Sequence, residues 1–291
     1  MENLSTAKRL MIIAAILLII GGVCLAGGSG GAKVGSISVF AVCGIIAVVI
    51  NWLVFIPSNI AKSEHYFDIT GTATYLSVIA AAVYFTPDLS LRAMIAGVMV
   101  IVWALRLGIF LFTRIKRTGH DDRFDKLKVD PMRFFIVWTI QALWVLLTAA
   151  CALAIITGGA ERELGLVGYI GIAMWVVGFV IEIIADRQKS AFKKDKANDG
   201  KFIKSGLWAW SRHPNYFGEI LLWTGMAVLA LPVLQGSQYV TLISPIFVYL
   251  LLTKISGISQ LTEKGKKKWG DDPEYQKYME NTSKLVPMPP K

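Results

Sequence analysis

The residues most suggestive of chemistry lie directly before an apolar segment, in the stretch GLWAWSRHPNYFGEILLW that begins at Gly206. Pro214 suits the first position of a helix, because the N–H that proline lacks would have no partner there. The free amides and the positive dipole end of such a helix favour anions. Arg212 and His213 directly precede it. The stretch therefore predicts an anion-binding site at the mouth of a hydrophobic helix.

Three more polar residues enter the apolar segment itself. Asn215 and Glu219 are four residues apart and share a helix face, with Tyr216 beside them. A carboxylate one turn into an apolar span is costly without a partner. The amide, hydroxyl and carboxylate match the donor and acceptor of a nicotinamide carboxamide. In the alternative reading, Glu219 pairs with a cation of a neighbouring helix and Tyr216 is an interfacial anchor.

A second polar stretch is IEIIADRQKSAFKKDKANDGKF, which starts inside an apolar run. Glu182 and Asp186 are one helical turn apart at the same angle, so the edge of the membrane carries two carboxylates on one face. Such groups pair with cations or bind a ligand. Lys193 follows two turns later, in a lysine-rich segment that could equally be a solvated face.

A third stretch, LRLGIFLFTRIKRTGHDDRF, combines cations and carboxylates. Arg106 lies within an apolar run, where an arginine usually has a function or an internal partner. Arg114 follows two turns later, where it could equally snorkel at the membrane edge as a positive-inside residue. Asp121 and Arg123 offer a carboxylate for sugar hydroxyls beside a guanidinium that can hold phosphates. A nicotinamide dinucleotide phosphate fits these three stretches as one possibility among several.

The elements that must position these residues are apolar helices. The chain is 55% hydrophobic and 17% charged, and a helix needs about 20 apolar residues to span a bilayer. We predict an all-α integral membrane protein of seven to eight transmembrane helices, with a cytoplasmic cofactor chamber. The transmembrane domain covers residues 1–256, and residues 257–291 form a cytoplasmic tail. The apolar runs are roughly 10–26, 37–57, 72–86, 91–112, 134–157, 164–185, 216–234 and 238–256, the third being the weakest.

The net charge of +10 is explained by topology. Of the 30 Lys and Arg residues, 22 lie in segments 113–133, 186–215 and 257–291, while the intervening short connections have almost none. Positive residues mark the cytoplasmic side, so one orientation places all three segments there. The charge therefore requires no nucleic-acid partner. The three cysteines lie in apolar runs without metal-site or disulfide spacing.

The block SRHPNYFGE, with IEIIADRQKSAFKKD and RLG…R…GHDDRF upstream, resembles the steroid 5-alpha-reductase family, in particular its bacterial branch. The resemblance covers most of the chain from about residue 50. It implies a bacterial inner-membrane enzyme that uses NADPH to reduce the C=C bond of a lipophilic enone entering from the bilayer, as a 3-oxo-5-alpha-steroid 4-dehydrogenase does. The cofactor-binding positions it implies are Arg106, Arg114, Asp121, Arg123, Glu182, Asp186, Lys193, Arg212, His213, Asn215, Tyr216 and Glu219.

The substrate-polarising residues transfer poorly from the family. Eukaryotic members place a Gln-Glu pair and a tyrosine near the ketone, whereas the corresponding stretch here is Val54–Ser58 and the tyrosine position is Trp103. The nearby AKSEHYFDITGT offers Glu64, Tyr66 and Asp68 as catalytic candidates. A polar loop between helices explains these three residues equally well.

Two other classes of protein share part of the pattern. Membrane methyltransferases of the isoprenylcysteine carboxyl methyltransferase type also carry an Arg-His-Pro-x-Tyr-x-Gly block, which RHPNYFG matches. Their cofactor, S-adenosylmethionine, has no phosphates and would not use so many basic residues. A channel or transporter would spread polar residues along a path through the bilayer, but here they are concentrated on one side. The reductase is therefore the favoured reading.

Overall fold

The computed structural model describes residues 4–118, 124–160 and 162–289, with only the backbone for 114–118. Apart from one short hairpin, the regular structure in these ranges is helical. The hairpin strands are β1 (Lys33–Val34) and β2 (Ile37–Ser38). The helices are α1 (Thr6–Gly27), α2 (Val39–Ile60), α3 (Phe67–Phe85), α4 (Leu91–Thr118), α5 (Pro131–Thr157), α6 (Gly165–Lys194), α7 (Leu207–Trp210), α8 (Pro214–Ala230), α9 (Ile243–Leu250), α10 (Ile258–Trp269) and α11 (Pro273–Asn281).

Seven helical segments of the described chain are long and apolar enough to cross a membrane. They are α1 to α6 and the segment Gly236–Trp269, which joins a 3₁₀ turn, α9, a π-helical turn and α10. The prediction of an all-α integral membrane protein is thus confirmed. The weak third run is among the seven, as α3. The short apolar helix is instead α8, with 17 residues.

Helix starts follow the residues expected from capping chemistry. The Ser38 side chain accepts from the amide of Ala41 and begins α2. The Asp130 side chain accepts from the amides of Met132 and Arg133, and Pro131 occupies the first turn of α5. Such side chains satisfy amides that have no partner inside the helix. The ends of these apolar helices are therefore defined locally, before any tertiary packing.

By their contacts the described residues form two compact units. Unit 1 comprises the chain up to Gly165 together with Ala230–Ile243. Its central helix is α5, which packs against α1, α2, α3 and α4. Every residue from Val145 to Thr157 is buried, as expected for a helix that is apolar on all sides.

Unit 2 comprises Leu166–Leu229 and the chain from Ser244 onward. The C-terminal residues thus pack within unit 2, while the predicted division into a domain 1–256 and a tail 257–291 stays a prediction.

Helices α6 and α8 of unit 2 pack backbone to backbone through glycines. A Cβ on Gly178 would lie only 2.5 Å from the carbonyl oxygen of Gly218. Seven residues away, a Cβ on Gly171 would lie 2.8 Å from the carbonyl oxygen of Gly225. No larger residue fits such contacts, and small residues let membrane helices approach closely. The spacing of the glycines therefore fixes the register of the two helices.

Candidate functional site

Close packing of α6 on α8 brings the first group of polar side chains together. Asn215 donates from Nδ2 to Asp186 Oδ1 at 3.2 Å. Glu182 is buried one turn before Asp186. It lies against Gly218, where a Cβ would come within 3.1 Å of the Glu182 Cβ. An amide and two carboxylates therefore line the same helix seam.

The turn before α8 is attached to the C-terminal part of α6. Gly206 has a φ of +60°, and a Cβ there would collide with the side chain of Gln188. The Gln188 Oε1 atom accepts from the amide of Leu207 at 2.9 Å. Trp208 is buried and donates from Nε1 to the carbonyl of Ala185 at 3.0 Å. These bonds fix α7 and hence the point at which α8 begins.

The end of the chain returns to the same turn. We call residues 282–288 the C-terminal strap. The amide of Arg212 donates to the carbonyl of Ser283 at 2.8 Å. The amide of Met288 donates to the carbonyl of Trp210 at 3.0 Å. The backbone of the turn that carries Arg212 is thus hydrogen-bonded both to α6 and to the strap.

A cavity of about 270 Å³ lies in unit 2 beside this turn. It is lined by residues of α6, the turn, α10 and α11, and by Lys201, Phe202 and Ile203. None of the described residues that line it is Asp or Glu. Its composition favours an anion. The cationic side chains of the lining are Lys189, Lys193, Lys201, Arg212, Lys264 and Lys268.

Aromatic rings form much of the remaining wall. The Phe202 ring contacts those of Trp269, Tyr275 and Tyr278, with centroids 5.8, 5.1 and 5.4 Å away. Trp208 also lines the cavity. Aromatic faces beside cations suit a planar heterocycle that carries phosphates.

The local electrostatics are strongly positive. Arg212 is half-buried and has no acidic partner among the described residues; its Nη1 donates a hydrogen bond to Met279 Sδ at 3.3 Å. Burial, together with the nearby cations Lys189, Arg212 and Lys284, lowers the pKa of His213 to about 3. His213 is therefore neutral at physiological pH, and the guanidinium remains available for an anion.

Residues predicted from the first and second polar stretches fall into two groups in unit 2. Lys193, Arg212 and His213 line the cavity. Asp186 and Asn215 are hydrogen-bonded at the helix seam. The other three predicted residues, Tyr216, Glu219 and Glu182, are neighbours of these two groups. Tyr216 stacks on His213 with ring centroids 5.6 Å apart, Glu219 is half-buried one turn after Asn215, and Glu182 precedes Asp186. Their roles in binding a cofactor stay predictions.

The third polar stretch belongs to unit 1. The Arg106 guanidinium lies over the Phe110 ring, 5.5 Å from its centroid. The backbone of Arg114 is within α4, but its side chain lies outside the description. Asp121 and Arg123 lie outside the described residues.

The three catalytic candidates lie at the connection between α2 and α3. Glu64 is buried and forms an ion pair with Lys128, with Oε2 and Nζ 2.8 Å apart. Tyr66 is 59% exposed and directly precedes α3, whereas Asp68 is in the first turn of that helix. Their catalytic role stays a prediction, and Glu64 also joins two segments of unit 1.

Sequence reasoning missed most of the cavity wall, above all Lys264, Lys268, Trp269, Tyr275 and Tyr278. These residues lie in the segment predicted as a tail. A signal was present, because a solvated tail rarely combines several lysines with three aromatic residues within 15 positions. Local patterns could not connect this segment with the turn before α8, because the two are far apart in the chain. The Tyr278 hydroxyl donates to the Trp208 carbonyl, 70 positions away, at 2.8 Å.

Comparison with protein families places the chain. Residues 54–282 match the family described as Protein of unknown function (DUF1295). The chain belongs to this family. No solved structure matches it.

Curated relatives match parts of the chain. It is 26% identical over 203 residues to an uncharacterized protein of Schizosaccharomyces pombe, covering 60% of this chain and 58% of that one. It is 39% identical over 66 residues to 3-oxo-5-alpha-steroid 4-dehydrogenase 1 of Mus musculus, covering 23% of this chain and 26% of the enzyme. The Rattus norvegicus enzyme gives the same identity over the same length. The chain thus spans less than two thirds of each of these relatives.

Proposed function

We propose that this protein is an NADPH-dependent membrane reductase that reduces the C=C bond of a lipophilic enone. The observation that carries the proposal is the cavity of unit 2, with six cations, no described acidic residue, and the half-buried Arg212. The local similarity to steroid 4-dehydrogenases supports the same reading. We further propose that the enzyme belongs to the bacterial branch and lies in the inner membrane with its basic segments in the cytoplasm.

The residues present fit this cofactor. Arg212 and the cavity lysines suit phosphate groups, because guanidinium and ammonium groups donate charge-assisted bonds to phosphate oxygens. The aromatic wall suits the adenine ring. Asp186 and Asn215 offer an acceptor and an amide for ribose hydroxyls and the nicotinamide carboxamide.

In the reaction, the protein orients a lipophilic substrate against a water-soluble cofactor and excludes water. NADPH, when bound, would supply the hydride that reaches the β-carbon of the enone. Enolate charge then develops on the substrate's carbonyl oxygen, and a hydrogen-bond donor placed there is worth about 3–4 kcal/mol of barrier. Uptake of a proton at the α-carbon restores the carbonyl group and completes the reduction. We assign that donor to the Glu64, Tyr66 and Asp68 group. For Glu64 the assignment requires loss of the ion pair with Lys128 and protonation of the carboxyl group, because a carboxylate only accepts hydrogen bonds.

The methyltransferase reading is supported by the RHPNYFG block alone. S-adenosylmethionine carries a sulfonium and an ammonium group, so a cavity lined by six cations and no described acid disfavours it.

Equilibrium binding to purified protein in detergent separates these readings. We expect NADPH to bind more tightly than NADH and far more tightly than S-adenosylmethionine. A preference for S-adenosylmethionine would replace the reductase by a methyltransferase. Asp186→Ala should weaken NADPH binding by roughly 1.5–3 kcal/mol through the loss of a charge-assisted bond. Lys267→Ala, which removes an exposed charge of α10 outside the cavity lining, is the control.

Turnover is tested with a 3-oxo-4-ene steroid as the probe enone. Glu219→Gln and Tyr216→Phe should each reduce enone-dependent NADPH oxidation about tenfold or more, as expected when a positioned polar contact to the reacting group is lost. Their thermal stability should stay that of the wild type. Full turnover in both variants would assign these two residues to the fold instead.

A further inference from the structure

One hydroxyl group joins the C-terminal strap to the start of α8. Ser211 is fully buried, at 0% exposure. Its Oγ donates to the carbonyl of Leu285 at 2.7 Å and accepts from the amide of His213 at 3.1 Å. The single O–H and one acceptor position of the hydroxyl are therefore both used.

The residues on either side of Ser211 are bonded to the strap as well. The amide of Arg212 donates to the Ser283 carbonyl, and the Trp210 carbonyl accepts from the amide of Met288. Three consecutive residues, Trp210, Ser211 and Arg212, are thus hydrogen-bonded to the strap, and Ser211 bonds through its side chain. Because the backbone sets the Cα–Cβ direction and restricts the rotamers, these bonds limit where the Arg212 guanidinium and the His213 ring can point.

The strap is itself anchored on the cavity side. It directly follows α11, and Thr282, at their junction, is buried. The Tyr278 hydroxyl of α11 donates to the carbonyl of Trp208. Burial raises the pKa of Tyr278, so the hydroxyl stays protonated and keeps this bond at physiological pH. One continuous segment therefore supplies part of the cavity wall and holds the turn that carries Arg212.

We propose that Ser211 is a positioning residue, which links the C-terminal strap to Arg212 and His213 and so sets these side chains for the phosphates of the bound dinucleotide. The inference rests on the proposed function for the identity of the ligand. It makes the C-terminal strap part of the binding site. Ser211 would act by positioning Arg212 and His213, without contacting the ligand itself.

Substitution of Ser211 tests this assignment. Ser211→Ala should raise the Kd for NADPH about tenfold, the effect of misplacing one charge-assisted contact. Ser211→Thr keeps the hydroxyl and should restore binding to within about twofold of wild type. Ser259→Ala is the matched control, because Ser259 is an exposed residue of the same unit whose hydroxyl donates to the Lys254 carbonyl. A Kd for Ser211→Ala equal to that of the control would overturn the proposal.

A second variant addresses the bond from the strap side. Met288→Pro removes the N–H that bonds the Trp210 carbonyl, at a side chain that is 57% exposed. It should also raise the Kd for NADPH, by about threefold for one neutral bond. If Ser211→Ala does not fold in detergent, this variant decides: unchanged NADPH affinity overturns the role of the strap.

Hydrogen exchange separates a failure of this inference from a failure of the proposed function. If the wild type binds no NADPH, the proposed function fails. Ser211→Ala should still speed amide exchange at His213 and Met288 relative to Ser259→Ala. Unchanged exchange at both amides would mean that Ser211 does not hold the strap.

Discussion

Charged side chains are arranged differently in the two units. In unit 1, Asp130 lies between Arg9 and Arg133, at 2.7 and 3.2 Å, and Glu64 pairs with Lys128. In unit 2, six cations share one cavity that has no acid among its described lining residues. Like charges held together are destabilising. Opposite charges in unit 1 therefore stabilise the fold, whereas the cations of unit 2 are explained by an anionic ligand.

The largest effect is expected from reversing one charge in the cavity. Arg212→Glu should raise the Kd for NADPH about 100-fold, because a charge-assisted bond worth about 1.5–3 kcal/mol is replaced by repulsion. Lys267→Glu makes the same change of charge on an exposed residue of α10 and should have a much smaller effect. Equal effects of the two variants would show that the cavity contributes only overall charge. Equilibrium binding at constant salt measures both.

The next prediction concerns the seam that carries Asp186 and Asn215. Gly178→Leu would place side-chain atoms where the Gly218 carbonyl lies, so α6 and α8 must separate. The free energy of unfolding should fall by about 1–3 kcal/mol, and NADPH binding should weaken with it. Gly22→Leu is the control, since a Cβ on Gly22 has no atom within 4 Å. Thermal unfolding in detergent measures the difference, and equal stabilities would contradict this packing.

A smaller effect is expected for a charge pair of unit 1. Arg9→Gln removes one cation from Asp130, a partly buried pair worth about 1 kcal/mol or less. Stability should fall by that amount without a change in NADPH affinity. Lys8→Gln, on a neighbouring exposed residue, should change neither quantity. A weakened affinity at full stability would show that this pair also serves the ligand, and would break the contrast between the units.

Local sequence signals predicted parts of the fold and of the candidate site. Pro214 marked the start of α8, and the Arg-His-Pro turn predicted that Arg212 and His213 act together. The run predicted as 216–234 continues past the helix, which ends at Ala230, because Pro232 cannot extend it. Helix α3 begins earlier than its apolar run. Its polar first turns are accommodated because Thr70 bonds the carbonyl one turn back.

The rest depended on contacts between distant positions. The seven-residue spacing of Gly171 and Gly178 is visible in the chain, as is that of Gly218 and Gly225, but only packing shows that the two pairs meet. The placement of Tyr278 under Trp208 depends on the path of the chain end. For this reason the cavity wall supplied by α10 and α11 could not be predicted from local patterns.

The last prediction is a pH dependence that probes the burial and the positive surroundings of His213. Burial, together with the neighbouring cations, lowers the folded-state pKa of His213 from 6.5 to about 3, so between these values the unfolded chain binds more protons. Stability from this group is fully present above about pH 6.5 and is lost as the pH falls towards 3. His213→Asn should therefore flatten the fall in unfolding free energy over this range. NADPH should also flatten the fall in unfolding free energy, because a phosphate beside His213 favours the protonated ring.

Denaturant unfolding in detergent across this pH range, with and without NADPH, measures both effects. A wild-type slope that neither His213→Asn nor NADPH alters would show that His213 is solvated and that the bound anion lies elsewhere.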